Sequence, residues 1–177
     1  WVGDKLPSSS DEAQIGAVVQ HVLAISGQEH DAALAAEGAT VFAENCAACH
    51  MPDGTGMAAM GAPNLTDSVW LYGGSEGAII ETITKGRVGV MPPMAAAVGT
   101  AEDVRNVANY VLSLSGSAHN SVAAQLGKAK FVVCAACHGP EGKGNPALGA
   151  PNLSDKIWLH GWGEAAIVAM VNGGKTN

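Results

Sequence analysis

Two pentapeptides in this chain are identical, and each holds the residue types of a metal-centred redox site. Cys46-Ala47-Ala48-Cys49-His50 recurs as Cys134-Ala135-Ala136-Cys137-His138. Cys-x-x-Cys-His is the pattern of a c-type haem attachment site. Its two thiols are spaced to add across the two vinyl groups of one haem, and the histidine that follows lies under the iron as proximal ligand. Cys46, Cys49 and His50 therefore form one candidate site, and Cys134, Cys137 and His138 a second, for two covalent haem c groups. Competing chemistries fit less well. Zinc ribbons place their cysteine pairs about 15–20 residues apart, whereas 84 residues lie between Cys49 and Cys134. A thioredoxin-like dithiol needs a βαβ pattern that the sequence lacks. A disulfide framework leaves the histidine after each pair unexplained.

Helices must position these groups. Ser9-Ser10-Asp11-Glu12 reads as a capping box with Ser9 at N-cap and Glu12 at N3, after a loop over Trp1 to Pro7. Ile15, Val18, Val19, Val22 and Leu23 then mark one helical face, and Gly27 is a C-terminal stop. Asp31 caps a second helix through Leu34, Val41 and Phe42 into Cys46, with Gly38 and Phe42 on one face so that another helix can approach closely. Met51 to Asn64 is a Gly-, Pro- and Ala-rich loop, the close-fitting backbone a haem edge requires. Ser75 caps a short helix through Ile79, Ile80 and Ile83 to Gly86, and Thr100 caps one with Val104, Val107, Ala108, Val111 and Leu112 inward, closed by Gly116.

The pattern then repeats. Gly127 and Phe131 reproduce Gly38 and Phe42. Gly149-Ala150-Pro151-Asn152-Leu153 copies Gly61-Ala62-Pro63-Asn64-Leu65 at an offset of 88, the offset of the cysteines, and Trp158 and Gly174 follow Trp70 and Gly86 at the same interval. A repeat held at constant spacing implies homologous domains. One slip occurs: Phe42 lies four residues before Cys46, but Phe131 three before Cys134, which leaves the second helix's register open. The expected fold is all-α, with tandem domains at 28–116 and 117–177 and one helix of a partial domain at 1–27.

The far side of each iron decides function. A thioether there raises the potential and favours electron transfer over ligand binding. Met91, between glycine and proline, is the expected sixth ligand of the first iron, with Met94 as competitor after two prolines. Met57 and Met60 read as core gap-fillers. The position equivalent to Met91 in the second copy is 179, beyond Asn177. Met170 aligns with Thr82 and is a poor substitute, and His160 aligns with Tyr72 and reads as a surface residue. Aligning Gly27 with Gly116 makes residues 1–27 the last helix of a domain. The chain thus reads as an excerpt of a tandem array or as lacking a ligand loop. The alternatives are a circular permutation, with 1–27 packed on 117–177, and exchange of these pieces with a domain-swapped neighbour.

Composition narrows the partners. The chain has 177 residues and a net charge of −7, against nucleic acid or a polybasic membrane contact. No run of 18 apolar residues marks a membrane span. It begins at Trp1 without an initiator Met or signal peptide, so it reads as a processed or excised piece. Aromatic residues are scarce, and a domain under 100 residues struggles to build a core alone; a covalent haem would supply the missing apolar material. Acids concentrate in 28–116, net −7, while 117–177 is net +2. That asymmetry can orient partners, although exposed charge is more often only a solvated face.

Together these residues resemble class I cytochrome c domains, and more narrowly the multihaem c-type cytochrome subunit of cbb-type haem–copper oxidases, the CcoP/FixP family. The likeness rests on Cys-Ala-Ala-Cys-His, residues 139–145 (Gly-Pro-Glu-Gly-Lys-Gly-Asn), Gly-Ala-Pro-Asn-Leu, the Trp70-Leu71-Tyr72-Gly73 block and Gly86-Arg87 leading to Met91-Pro92. It implies haem 1 on Cys46 and Cys49 with His50 proximal and Met91 distal, and haem 2 on Cys134 and Cys137 with His138 proximal. It also implies that the Pro63 and Pro151 carbonyls accept the other N–H of each histidine. Arg87, and less closely Lys175, match a basic position near a haem propionate. Met51, where the second copy has Gly139, departs from the pattern, as does the lack of a membrane anchor.

The expected function is electron transfer through two haems between a redox donor and acceptor, in contact with oxidase core subunits, with no substrate bond made or broken. The expected place is the bacterial periplasm, membrane-associated through a partner or a missing anchor. Three rivals stand beside it. A dihaem peroxidase would need one open haem with acid–base residues above it. A gas-binding module would use an open second site. A cytochrome subunit of a periplasmic dehydrogenase would share every residue and differ in its partner.

Overall fold

Each half of the molecule is organised by two helices that cross at a glycine. A computed structural model describes residues 9–176, so the loop over Trp1–Pro7 lies outside the described residues, and Ser9, expected as the cap, is the first residue of the helix. The chain divides into two compact units, Trp1–Arg87 and Val88–Asn177. This division falls after residue 87, in the middle of the first sequence repeat, whereas the sequence suggests boundaries after residues 27 and 116.

In the first unit α1 (Ser9–Ile25) buries Val18, Val19, Val22 and Leu23. It ends where Gly27 takes a positive φ of 72° and Gln28 N–H donates back to the Leu23 carbonyl (2.9 Å), the bond pattern of a glycine-terminated helix. The Asp31 carboxylate accepts from Ala33 and Leu34 N–H (2.9 and 3.0 Å) and starts α2 (Ala32–Asn45). α2 packs on α1. A Cβ on Gly38 would overlap the Ala17 carbonyl, so only glycine permits this approach. Phe42, one turn on, is buried in the core between them. A short helix α3 (Ala47–His50) carries the first motif, and Ser75 caps α4 (Glu76–Lys85), which packs on α1.

The second unit repeats this plan. The pair Val90–Met91 (β1) leads into a short α5 (Ala95–Val98) and then α6 (Ala101–Leu114). Thr100 and Asp103 cap α6 reciprocally: the Thr100 hydroxyl accepts from Asp103 N–H, and the Asp103 carboxylate from Thr100 N–H. All five residues expected inward on α6 are buried. Asn120 caps α7 (Ser121–Lys130), whose Gly127 abuts the Asn106 carbonyl as Gly38 abuts that of Ala17. The register left open by the one-residue slip is resolved here. α7 stops at Lys130, Phe131 turns the chain, and α8 (Val132–His138) runs through the motif. α9 (Glu164–Gly173) packs on α6, and Lys175–Thr176 (β2) pairs antiparallel with β1. The molecule is therefore mostly helical, with one two-residue ladder added to the all-α expectation. Among the described residues no helix is long and apolar enough to cross a membrane.

The helix pairing has a physical reason. Six residues join α1 to α2 and six join α6 to α7, whereas 55 lie between α2 and α6. Loop-closure entropy favours the sequence-adjacent partner by about 2 kcal/mol. Residues 1–27 accordingly contribute α1 to a unit with α2 and α4 of their own chain. The packing of 1–27 on 117–177 and the swapped neighbour are not what the structure brings together.

Candidate functional site

Both motifs present a histidine held in one tautomer. His50 Nδ1 lies 3.1 Å from the Pro63 carbonyl oxygen, and His138 Nδ1 lies 2.9 Å from that of Pro151. A carbonyl can only accept, so Nδ1 carries the proton and Nε2 keeps its lone pair for a metal. The loops repeat as well. Gly56 N–H returns to the His50 carbonyl (2.9 Å) and Gly144 N–H to that of His138 (2.8 Å). A Cβ on Gly56 would sit 2.5 Å from the Pro63 carbonyl carbon, and one on Gly144 2.7 Å from the Ala150 oxygen. These glycines let the loop close tightly enough to bring the proline carbonyl under the ring. Each Asn that follows (Asn64, Asn152) accepts from the backbone and hydroxyl of the residue two on, fixing the turn out of the site.

The cysteines are free thiols, one half-buried and one exposed in each pair. Burial, with the neighbouring thiol's charge, pushes Cys46 and Cys134 upward and keeps both protonated. His138 is buried, and burial lowers its pKa against the opposing pull of the Pro151 hydrogen bond, which favours the neutral, ligating form. The two pairs lie in different units, and among the described residues no group of three His, Cys, Asp or Glu side chains converges to hold a metal ion.

The residues fit a haem. The Tyr72 hydroxyl and the Trp158 indole N–H are buried without a hydrogen-bond partner. A buried donor left unpaired costs about 1–3 kcal/mol, and a haem propionate is an acceptor of the right kind for both. Cys46 and Trp70 pack against the core of the first unit, and Cys134 and Trp158 against that of the second, so each crevice already has an apolar wall.

Other predicted residues fall differently. Met91 lies in the unit of His138, not that of His50. β1 pairs Met91 with Lys175, and the Met91 side chain packs against the same core as Cys134 and Trp158. The sequence pairs Met91 with the first iron, whereas its side chain packs in the second unit. Met94 packs on this core too, and its N–H donates to the Val171 carbonyl (2.8 Å). Arg87 bonds Glu81 (3.0 Å) and lies over the Tyr72 ring (5.3 Å to its centroid). Lys175 is an exposed strand residue. Met60 is 60% exposed, so it fills no core gap. His160 is half-buried.

One device was missed in the sequence. The Gln20 side chain accepts from Asp31 N–H (2.8 Å) and donates to Glu76 (3.1 Å). The Asn109 side chain accepts from Asn120 N–H (2.8 Å) and donates to Glu164 (2.8 Å). In each unit one amide ties the first helix to the cap of the second and to the first turn of the helix beyond the motif. An amide recurring at the repeat interval, with an acid recurring at the later helix start, was its only signal.

A histidine behind two thiols, set on a glycine-crossed helix pair, is the arrangement of a c-type cytochrome domain. Residues 33–111 match the family model for cytochrome c oxidase, cbb3-type, subunit III, and carry a domain of that family. The chain is 65% identical over 140 residues to the cbb3-type cytochrome c oxidase subunit CcoP of Rubrivivax gelatinosus, covering 79% of this chain and 45% of the relative. It is 59% identical over 106 residues to CcoP of Cereibacter sphaeroides, covering 60% and 36%. With FixP of Azorhizobium caulinodans it is 45% identical over 150 residues, covering 79% and 50%. The chain thus spans half or less of the length of these relatives.

Proposed function

We propose that this chain is a two-haem electron carrier that works as part of the cytochrome c subunit of a cbb3-type oxidase in the periplasm. Cys46, Cys49 and His50 would hold one haem, and Cys134, Cys137 and His138 the other. Each haem, when bound, supplies a one-electron couple at its iron. The protein's part is to fix and shield it. The thioether cysteines anchor its edge. The Pro63 and Pro151 carbonyls hold each imidazole in the ligating tautomer. Tyr72 and Trp158 offer donors to its carboxylates, and Arg87, over the Tyr72 ring, adds positive charge on that side of the first site. Oxidase core subunits as neighbours are suggested by the relatives' names as oxidase subunits, and a one-electron carrier requires a redox donor and an acceptor.

The observation that carries this reading is the repeated tautomer lock: two Cys-x-x-Cys-His motifs, each with its histidine on a proline carbonyl thirteen residues on. Its test is the intact mass of the denatured protein, because only covalent haem survives denaturation. Two haem masses per chain are expected. A chain carrying none would return the cysteines to thiol or metal chemistry. Carbon monoxide binding by the ferrous protein is the readout that would favour a gas-binding module, and a peroxide-shifted high-spin ferric signal would favour a peroxidase.

A further inference from the structure

We infer that the outer face of α7 is a docking surface of the second unit for a redox protein whose contact patch has an apolar centre ringed by carboxylates. This rests on the electron-carrier reading and names the chemistry of one partner. α7 buries Ala124 and Gly127 on its inner side, with Gly127 against α6. On the opposite face stand Val122 and Leu126, four residues apart and 65% and 59% exposed. Beyond the turn at Phe131, Val132 opens α8 at 70% exposure, two residues before Cys134. The first unit builds the same helix pair without these side chains. Aligning the crossing glycines sets Leu126 against Glu37, and aligning the two motifs sets Val132 against Glu44; both glutamates are exposed. The packing of the unit therefore does not call for apolar side chains at these positions. Left in water, they forgo the gain of burial that a partner would supply.

Charge decides what covers the face. Residues 104–140 hold no Asp or Glu, and α7 carries Lys128 and Lys130. Lys130 is paired with Asp103, whereas Lys128, exposed on the flank of the helix, makes no ion pair with the described residues. α2 is the reverse: its cap is Asp31, it carries Glu37 and Glu44, and it has no base. An anionic surface is drawn to α7 and turned away from α2. The face also ends within a helical turn of Cys134, so a partner seated there lies beside the second motif. One electron passes between the partner's centre and the haem of that motif, and no bond forms or breaks.

The probe is oxidised flavodoxin, an acidic one-electron protein, titrated at low ionic strength into the ascorbate-reduced full chain while backbone amide shifts are followed. Shifts are expected over residues 122–132 and not over 33–44, and they should fade as salt is raised to about 0.5 M. V122S/L126S leaves the charge unchanged and should weaken binding about fivefold, as should K128E. K156E alters the net charge as K128E does, at an exposed loop position off this face, and should weaken binding about twofold or less. Helix circular dichroism of V122S/L126S should match the parent's, since both side chains are exposed. Shifts centred on α2, a titration without shifts, or equal losses from K128E and K156E overturn the assignment. Failure of the electron-carrier reading is visible separately, in a parent chain whose mass lacks haem.

Discussion

The two units share a plan and differ in how firmly they hold it. In the second, Asn109 is buried at 4% exposure and donates to both the Arg105 carbonyl and Glu164. In the first, Gln20 does the same bridging with one more methylene and is half-buried. The second motif runs as one helix into His138 at 7% exposure, whereas the first is broken at Cys46 and leaves His50 half-buried. Charge separates them further. Residues 1–87 carry eleven acids and three bases, net −8, and residues 88–177 five acids and six bases, net +1. The shared parts are those the attachment chemistry needs; the divergent parts set rigidity and surface.

The comparison can be broken most sharply where the units are most alike. Gly38→Ala and Gly127→Ala each force a methyl into a backbone carbonyl, and each should cost about 3 kcal/mol. Chemical denaturation followed by helix circular dichroism should show similar losses; a tolerated alanine in either unit would mean that its crossing is looser than described. The amide bridge should separate the units. Asn109→Ala strips a buried group bonded to a carboxylate and should cost about 2 kcal/mol, and Gln20→Ala under half of that. Equal costs would refute the claim that burial sets the difference. The smallest effect runs the other way. Met51 holds φ at 66°, a region that favours glycine, where the second copy has Gly139 at 77°. Met51→Gly should therefore stabilise the first unit by about 1 kcal/mol, and Gly139→Met should weaken the second by a similar amount, both read as shifts in denaturation midpoint.

The helices were legible in the sequence because caps and stops are local. Asp31, Ser75, Thr100 and Gly27 act within one turn of where they stand, so their chemistry needs no knowledge of the partner. The tautomer locks were legible through the family resemblance, which supplied the pairing of His50 with Pro63 and of His138 with Pro151. Helix partnership was not legible. α2 carries Gly38 and Phe42, and α7 carries Gly127 with Phe131 at its end, so this pattern alone does not choose the partner of α6. What separates the two choices is linker length, an entropic quantity that hydrophobic pattern does not carry. The placement of Met91 in the second unit was hidden with it, since the segment carrying it leads into α6. The orphaned Tyr72 and Trp158 donors and the amide bridges were invisible for another reason: they depend on where loops distant in sequence bury polar atoms.

The six-residue connections have a consequence for how the chain reaches this structure. Contacts between helices that adjoin in sequence form fastest, so the α1–α2 and α6–α7 hairpins are the natural nuclei. In each case the attachment cysteines follow directly on the nucleus. A hairpin that folds early therefore presents Cys49 or Cys137 on a preformed helical platform, while the loop carrying Pro63 or Pro151 is still unplaced. The polypeptide can offer its thiols before it closes over what they bind.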